Sequence, residues 1–179
     1  MGELVIGFLH LEFDLRYKSA KAVKGQAIAN IITHLREGEV TLLELTPWAL
    51  FFDGSTCKQG GGVGILLISP QGMSFEYAIP TKLTSTNNQA EYEATLRGIQ
   101  LLHEVKAECV EIFGDSQLVI NQLLGLYECK DDILRNIMKN AENLLILFFV
   151  IMKPIRRNQN QEANRLAQSA SGIGKLLKF

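Results

Sequence analysis

Cysteine and long apolar runs are scarce in this chain, and their scarcity excludes several classes of protein. Its 179 residues include three cysteines, Cys57, Cys109 and Cys129, which are far apart and form no C-x-x-C pair. This spacing argues against a disulfide framework and against a zinc site. The longest apolar run, Leu144–Met152, is far shorter than the roughly 20 residues of a membrane-spanning helix. The sequence also does not open with a cationic segment followed by an apolar one, as a signal peptide would. We therefore expect an intracellular protein that is not secreted and has no membrane partner, without a preference for nucleus or cytoplasm.

A strong net charge is also lacking, because the formal charge is only −1. The charges are unevenly distributed, however. From Lys153 to the C-terminus there are six basic residues and one acidic residue, whereas residues 46–152 contain seven basic and twelve acidic residues. A basic C-terminal stretch fits either a polyanionic partner or a solvated surface, and charge alone does not decide between them.

The length allows one full domain and a fragment. Residues 1–45 contain an alternating strand pattern over Leu11–Tyr17, a basic connector and a short helical pattern over Ala27–Leu35. One strand and one helix cannot bury a core, so this segment must pack on the main domain, pack on another chain or remain mobile. Glu37–Pro47 is predicted to be a linker. The main domain is predicted at residues 46–172, followed by a basic tail at 173–179.

The main domain opens with an apolar run that begins at Trp48 and stops at Asp53, which is typical of a strand buried in the centre of a sheet. Two more strands, Val63–Ser69 and Met73–Ile79, follow after short turns and predict an antiparallel meander. We interpret the glycines 60–62 as a turn and not as a phosphate-binding loop, because no Gly-Lys-Ser/Thr sequence follows. The remaining pattern predicts a helix after 86–88, a strand at 110–113, helices at 115–124 and 131–145, a strand ending near 152, and a helix at 161–171.

Three carboxylates lie at element boundaries, and each has an ordinary structural interpretation. Asp53 precedes a glycine, as in a tight turn. Glu91 follows Asn88 at capping-box spacing, and Asp115 fits the N-cap of the next helix. Together they suggest another role, because two strand-end aspartates and a helical glutamate can converge at one point of a sheet. Clustered carboxylates repel one another unless a cation lies between them, and Mg²⁺ prefers such oxygen ligands.

Four sequence motifs contain these residues, and in this order they resemble the motifs of the type 1 ribonuclease H family. The closest likeness is to the ribonuclease H domains of plant LTR-retrotransposon polyproteins, and it covers residues 46–172. The resemblance implies an α/β ribonuclease H-like fold with a mixed five-stranded sheet flanked by helices. It also implies Mg²⁺-dependent endonucleolytic hydrolysis of the RNA strand in RNA/DNA hybrids. The motifs are Asp53-Gly54-Ser55, Thr86-Asn87-Asn88-Gln89-Ala90-Glu91, Gly114-Asp115-Ser116-Gln117 and Asn160-Gln161-Glu162-Ala163-Asn164.

By the same resemblance, Asp53, Glu91 and Asp115 match three of the four metal-binding acids of the family. The fourth acid falls at Asn164, whose amide carries no charge and should hold a second ion more weakly. The cofactor expected is Mg²⁺ in a two-metal site with a weakened second position, with Mn²⁺ as a substitute. The loop at 154–160 also has no histidine, unlike some family members. The sequence therefore leaves two hypotheses: a hybrid ribonuclease of reduced activity, or a ribonuclease H-like binding module whose chemistry has decayed.

The resemblance also implies which residues contact an RNA/DNA hybrid. Gly54–Ser55 would approach the RNA backbone and its 2′-hydroxyl groups, which distinguish RNA from DNA. Asn88 and Gln117 would reach the minor groove. Arg156–Arg157 would contact phosphates, which position a duplex without specifying its sequence.

The N-terminal segment has a resemblance of its own. Glu12–Leu15 and Lys24–Asn30 are similar to the end of the preceding domain in the same polyproteins, a degenerate ribonuclease H-like domain. In that interpretation Ala29-Asn30 parallels Ala163-Asn164. Residues 1–45 would then be the remnant of a connection domain, and a reverse transcriptase region would be a partner missing from this chain.

Overall fold

The computed structural model describes residues 46–58, 60–81 and 86–172, together with the backbone of Val5–Ile6. The strand predicted at Leu11–Tyr17, the helix predicted at Ala27–Leu35 and the basic tail at 173–179 lie outside the described residues. Most of the predicted linker, Glu37–Pro47, lies outside them too. The boundaries predicted for the main domain therefore stay a prediction.

Among the described residues six strands form one mixed sheet: β1 (Val5–Ile6), β2 (Trp48–Cys57), β3 (Gly60–Ile68), β4 (Ser74–Thr81), β5 (Cys109–Gly114) and β6 (Phe149–Pro154). Their order in the sheet is β1-β6-β5-β2-β3-β4. Strands β2, β3 and β4 form the predicted antiparallel meander, whereas β2, β5 and β6 run parallel to one another. Strand β1 adds two residues antiparallel to β6 at the edge. The other five strands are the mixed five-stranded sheet that the sequence predicted.

In the described part of the chain four α-helices accompany the sheet, and all four were predicted from the sequence. They are α1 (Asn87–Glu104), α2 (Gln117–Leu123), α3 (Asp132–Leu145) and α4 (Gln161–Ala170), with a 3-10 turn at Arg157–Gln159 before α4. The α/β fold class is therefore confirmed. None of the helices in the described part of the chain is long and apolar enough to cross a membrane.

The predicted glycine turn is wrong, because Gly60–Gly62 lie inside β3. The reason is the close packing of α4 on this strand. A Cβ atom at Gly62 would lie 2.1 Å from the Ala167 carbonyl oxygen, and one at Gly64 would lie 1.9 Å from that of Ala163. Gly62 and Gly64 therefore leave a flat surface on which α4 packs. The chain turns instead near Lys58, before β3 begins.

Helices α1 and α4 pack on opposite faces of the sheet. Gly64 pairs directly with Asp53 across β2 and β3, so their side-chain positions share the face covered by α4. A Cβ atom at Gly54, the next residue along β2, would point instead into the backbone of α1. Alternation of side chains along β2 thus puts one helix on each side of the strand that carries Asp53. The core between α1 and the sheet is fully buried and includes Leu50, Phe52, Tyr92, Ile99 and Ile112.

Candidate active site

Asp53 and Asp115 meet because the central strands are parallel and in matching register. Phe52 of β2 pairs with Gly114 of β5, and each aspartate is the next residue along its strand direction. The tight turn suggested by the Asp53-Gly54 dipeptide is not formed, because both residues lie inside β2. The N-cap interpretation of Asp115 is also wrong, because Ser116 precedes α2 as its N-cap residue and makes no side-chain capping bond. Both carboxylates are therefore left for other interactions.

Glu91 reaches the same point from α1. The capping box expected from Asn88 and Glu91 is wrong, because Thr86 and Gln89 form it, with hydrogen bonds of 3.2 and 2.9 Å. Glu91 instead lies where α1 crosses Gly54, at which a Cβ atom would be 2.3 Å from the Glu91 backbone nitrogen. The absence of a side chain at Gly54 therefore lets the helix approach β2 closely enough to bring Glu91 beside Asp53.

The three carboxylates form one compact cluster. An oxygen from each of Asp53, Glu91 and Asp115 lies within 4.8 Å of the others. Asp53 and Glu91 are only 5% and 6% exposed. Burial, together with the charge of Asp115, raises the pKa of Asp53 to about 6. Burial, together with the charges of Asp53 and Asp115, raises the pKa of Glu91 to about 9.

This cluster fits a divalent cation. Glu91 Oε2 is buried and has no hydrogen-bond partner among the described residues, so it is a buried acceptor open to a ligand. Three hard oxygen donors at this separation can share one small cation, whose charge would offset their mutual repulsion. The three predicted metal ligands are thus brought together, and the cluster is compatible with a divalent metal site.

Asn160 also belongs to this site, although no role was expected for it. It is 1% exposed, and its Nδ2 donates hydrogen bonds to the Phe52 carbonyl oxygen at 2.8 Å and to Asp115 Oδ1 at 3.2 Å. This amide group thus links the start of α4 to β2 and to Asp115, the residue that follows β5. A signal was present in the sequence, because Asn160 opens the fourth motif and lies one helical turn before Asn164.

Asn164, the catalytic-site residue predicted at the position of the fourth acid, lies one turn further along α4 and has a cationic neighbour. The backbone nitrogen of Asn164 donates to the Asn160 carbonyl oxygen at 3.0 Å, which places the two asparagines on consecutive turns. In the amide orientation that matches its surroundings, Asn164 Oδ1 accepts from Arg157 Nε at 3.0 Å and from Arg157 Nη2 at 2.9 Å. The positive charge of Arg157 also acts to lower the pKa of Asp53, although burial and Asp115 outweigh it.

The other predicted substrate contacts lie close in sequence to the cluster. Asn88 is exposed in the first turn of α1, and Gln117 is exposed as the first residue of α2, two residues after Asp115. Ser55 is half-buried, and its Oγ lies 3.4 Å from Ser171 Oγ beyond α4. Arg156 is exposed beside Arg157. Their contacts with a nucleic acid stay a prediction, as does the contact predicted for Gly54, which also packs against α1.

Comparison with known proteins agrees with this architecture. The family model described as reverse transcriptase-like, which has a ribonuclease H-like fold, matches residues 51–170. The chain belongs to the type 1 ribonuclease H family. The match includes the three clustered acids, Asn160 and Asn164, so the resemblance found in the sequence motifs is confirmed.

Individual relatives agree with this assignment. Ribonuclease HI from Halobacterium salinarum is 33% identical over 123 residues, which cover 67% of this chain and 62% of that protein. The chain thus spans about three fifths of the length of this curated relative. The crystal structure of RNase H1 from the same organism superposes with a TM-score of 0.65 at 31% identity, over 69% of this chain and 96% of that one. LC11-RNase H1, solved in complex with an RNA/DNA hybrid, shares the fold with a TM-score of 0.64 at 23% identity, over 72% and 99% of the two chains.

Proposed function

We propose that this chain hydrolyses the RNA strand of RNA/DNA hybrids endonucleolytically, with Mg²⁺ as its cofactor and Mn²⁺ as a substitute. The observation that carries the proposal is the convergence of Asp53, Glu91 and Asp115 at a sheet edge, with a buried and unpartnered Glu91 oxygen. A related protein is named ribonuclease HI, and a structural neighbour has been solved with an RNA/DNA hybrid. Both support this choice of substrate. The match to a reverse transcriptase-like family also supports an origin in a retroelement polyprotein.

The reaction would be the addition of water to a phosphodiester phosphorus, followed by cleavage of one ester P–O bond. The departing oxygen takes a proton, so the products are a phosphate monoester and a hydroxyl end. A bound Mg²⁺ would supply positive charge to the phosphate and to the attacking water. Asp53, Glu91 and Asp115 would hold the cation, and Asn160 would keep the Asp115 carboxylate in place through its hydrogen bond.

The predicted substrate contacts complete the proposal. We propose that the exposed side chains of Asn88 and Gln117 contact a minor groove and that the Gly54–Ser55 backbone approaches the RNA. Arg156 and Arg157 are exposed cations suited to phosphate groups. Binding of this kind depends on duplex shape and on phosphate charge, so it should be independent of sequence and weakened by salt.

The test is cleavage of a labelled RNA/DNA hybrid with Mg²⁺, compared with a chelator and with a DNA duplex of the same sequence. Asp115→Asn is the matched variant, because it preserves the shape of the side chain and removes its charge. We expect cleavage of the RNA strand alone, and a loss of about 10³-fold or more in the variant. Cleavage that persists at the original rate in Asp115→Asn would refute the proposal.

A second candidate is a binding module without chemistry, and it is favoured by the amide at Asn164. The two candidates separate in a binding measurement made beside the cleavage assay. Salt-sensitive binding of the hybrid with no detectable cleavage by either protein would support the binding module. Cleavage that requires Asp115 would support the enzyme.

A further inference from the structure

The Arg157–Asn164 pair stands where the family has its fourth acid, and its charge is the opposite of what that acid would provide. Asn164 is neutral, so the pair carries the full positive charge of the guanidinium. With an aspartate at this position, the same two hydrogen bonds would become an ion pair without net charge. The exchange of one carboxylate oxygen for an amide nitrogen therefore leaves one uncompensated positive charge beside the carboxylate cluster, where an aspartate would leave none.

This pair is fixed relative to the cluster by a short chain of contacts. Asn160 binds Asp115 and the Phe52 carbonyl group, and Asn164 follows it one helical turn later. Arg157 precedes the same helix in the 3-10 turn and binds back to Asn164 through two of its nitrogens.

The surroundings of Arg157 favour an anion. It opens onto a cleft of about 440 Å³ that has no acidic residue in its lining, which consists of Arg157, Asn158, Gln161, Asn164, Arg165 and Gln168. Arg165 is neutralised by ion pairs with Glu76 and Glu162. Within the part of the chain that the structure describes, Arg157 has no such ion pair. A guanidinium has five N–H donors, and those not used by Asn164 remain for a phosphate group.

We propose that Arg157, held by the Asn164 amide oxygen, takes the place of a second divalent cation, so that the site binds one cation and holds the attacked phosphate with the guanidinium. This inference rests on the proposed function for its substrate. Asp53, Glu91 and Asp115 hold the single cation. Arg157 neutralises phosphate charge from the other side, which a cation at a fourth carboxylate would otherwise do.

The cation count tests this without any hydrolysis. Mn²⁺ is titrated into the chain, and free ion is measured by electron paramagnetic resonance. We expect one bound ion per chain in the wild type and in Asn164→Asp, because Arg157 pairs with the new carboxylate. The double variant Arg157→Gln/Asn164→Asp is expected to bind a second ion. Two ions in the wild type, a second ion in Asn164→Asp alone, or no second ion in the double variant would each overturn the proposal.

Single substitutions at Arg157 give a second, independent measurement. Arg157→Gln removes a positive charge near the cluster, so the affinity for the one Mn²⁺ ion should rise severalfold while hybrid cleavage falls about 10–100-fold. Arg157→Lys keeps the positive charge but cannot donate two hydrogen bonds to Asn164 as the guanidinium does. Its Mn²⁺ affinity should therefore match that of the wild type. A purely structural role for Arg157 would not tighten cation binding. Unchanged Mn²⁺ affinity in Arg157→Gln would therefore overturn the proposal.

Arg97→Gln is the matched control, because Arg97 is an exposed arginine on α1 whose partner is Glu93 at 3.8 Å. It should leave cation affinity and cleavage unchanged. The design also separates the two proposals of function. Absence of cleavage in every variant, with the expected ion counts, would refute the ribonuclease activity and leave the exchange of a cation for Arg157 intact.

Discussion

The site has two adjoining halves that are held by different parts of the fold. The carboxylate half consists of Asp53, Glu91 and Asp115. The helical half consists of Arg157, Asn160 and Asn164. The first half depends on the two central strands and on a buried stretch of α1, and two of its three acids are almost completely buried. The second half is formed by one helix and the turn before it, and Arg157 is exposed. Because its acids are buried close together, the carboxylate half requires a bound cation to offset their repulsion. The helical half instead supplies the positive charge of Arg157.

This difference shows how one site can combine a fixed part and a replaceable part. Removing a buried acid relieves repulsion between its neighbours but takes away a ligand, so the carboxylate half has few alternatives that still bind a cation. An exposed pair such as Arg157 and Asn164 can change residue by residue at little cost in stability. The variants below are chosen to act on one half while leaving the other half as it is.

The largest effects are expected from substituting alanine for the glycines on which the two helices pack, because the added methyl groups would overlap backbone atoms of the helices. Gly54→Ala would clash with α1 at the Glu91 nitrogen, and Gly64→Ala would clash with α4 at the Ala163 carbonyl oxygen. Each should lower the free energy of unfolding by about 1–3 kcal/mol or more. Gly54→Ala should also weaken the stabilisation by Mg²⁺, since it displaces Glu91, whereas Gly64→Ala should retain it.

The measurement is chemical denaturation with Mg²⁺ and with a chelator, because a ligand that binds only the folded state raises its stability. Gly60→Ala is the control, since its added methyl group would only reach atoms 3.9 Å away. Equal losses of Mg²⁺ stabilisation in Gly54→Ala and Gly64→Ala would show that the two halves are not separable.

An intermediate effect is expected at Asn160, which joins the two halves. Asn160→Ala removes the donor for the Phe52 carbonyl oxygen and for Asp115, so it should cost about 1–3 kcal/mol of stability. It should also lower cleavage by about 10-fold, because Asp115 is held less firmly. The matched control is Asn143→Ala at an exposed position of α3. Cleavage equal to that of the control, measured below the unfolding transition, would limit Asn160 to a structural role.

The smallest effect, a gradual one, is the dependence of stability on pH in the metal-free protein. The pKa of Asp53 is raised to about 6 and that of Glu91 to about 9, so the folded state holds protons that the unfolded state releases at lower pH. The free energy of unfolding should therefore fall steadily as pH rises from about 5 to about 8. Mg²⁺ should offset this fall, because it stabilises the ionised carboxylates.

Denaturation curves at about pH 5 and about pH 8, with and without Mg²⁺, give this slope. Glu91→Gln should flatten it, since the amide does not titrate. If the free energy of unfolding of the metal-free wild type rose between about pH 5 and about pH 8, the clustered carboxylates would not repel one another as proposed.

Much of the fold and most of the carboxylate half could be predicted from the sequence. The apolar runs gave the five strands of the mixed sheet, and the helical patterns gave all four helices, because both depend on local periodicity. The three acids could be grouped because each follows or opens a predicted element, and the family motifs fixed their order. The predictions that failed were local ones: the Gly60–Gly62 turn, and the capping roles of Glu91 and Asp115.

Those failures share a physical cause. A glycine triplet has the same local preferences in a turn and under a helix, so only the packing of α4 could place it inside β3. Likewise a carboxylate near a helix start can cap that helix or face another strand. The choice depends on what lies opposite, which sequence spacing does not contain.

By itself, the sequence determined which residues are acidic, which strands and helices carry them, and that an amide stands in place of the fourth acid. Only the tertiary structure decided that Asn160 bridges β2 and Asp115, and that Arg157 binds Asn164 beside the cluster. These contacts join segments that are 108, 45 and seven residues apart in the chain. The two contacts of Asn160 form only when α4 packs on β3, so no local pattern of the sequence records them.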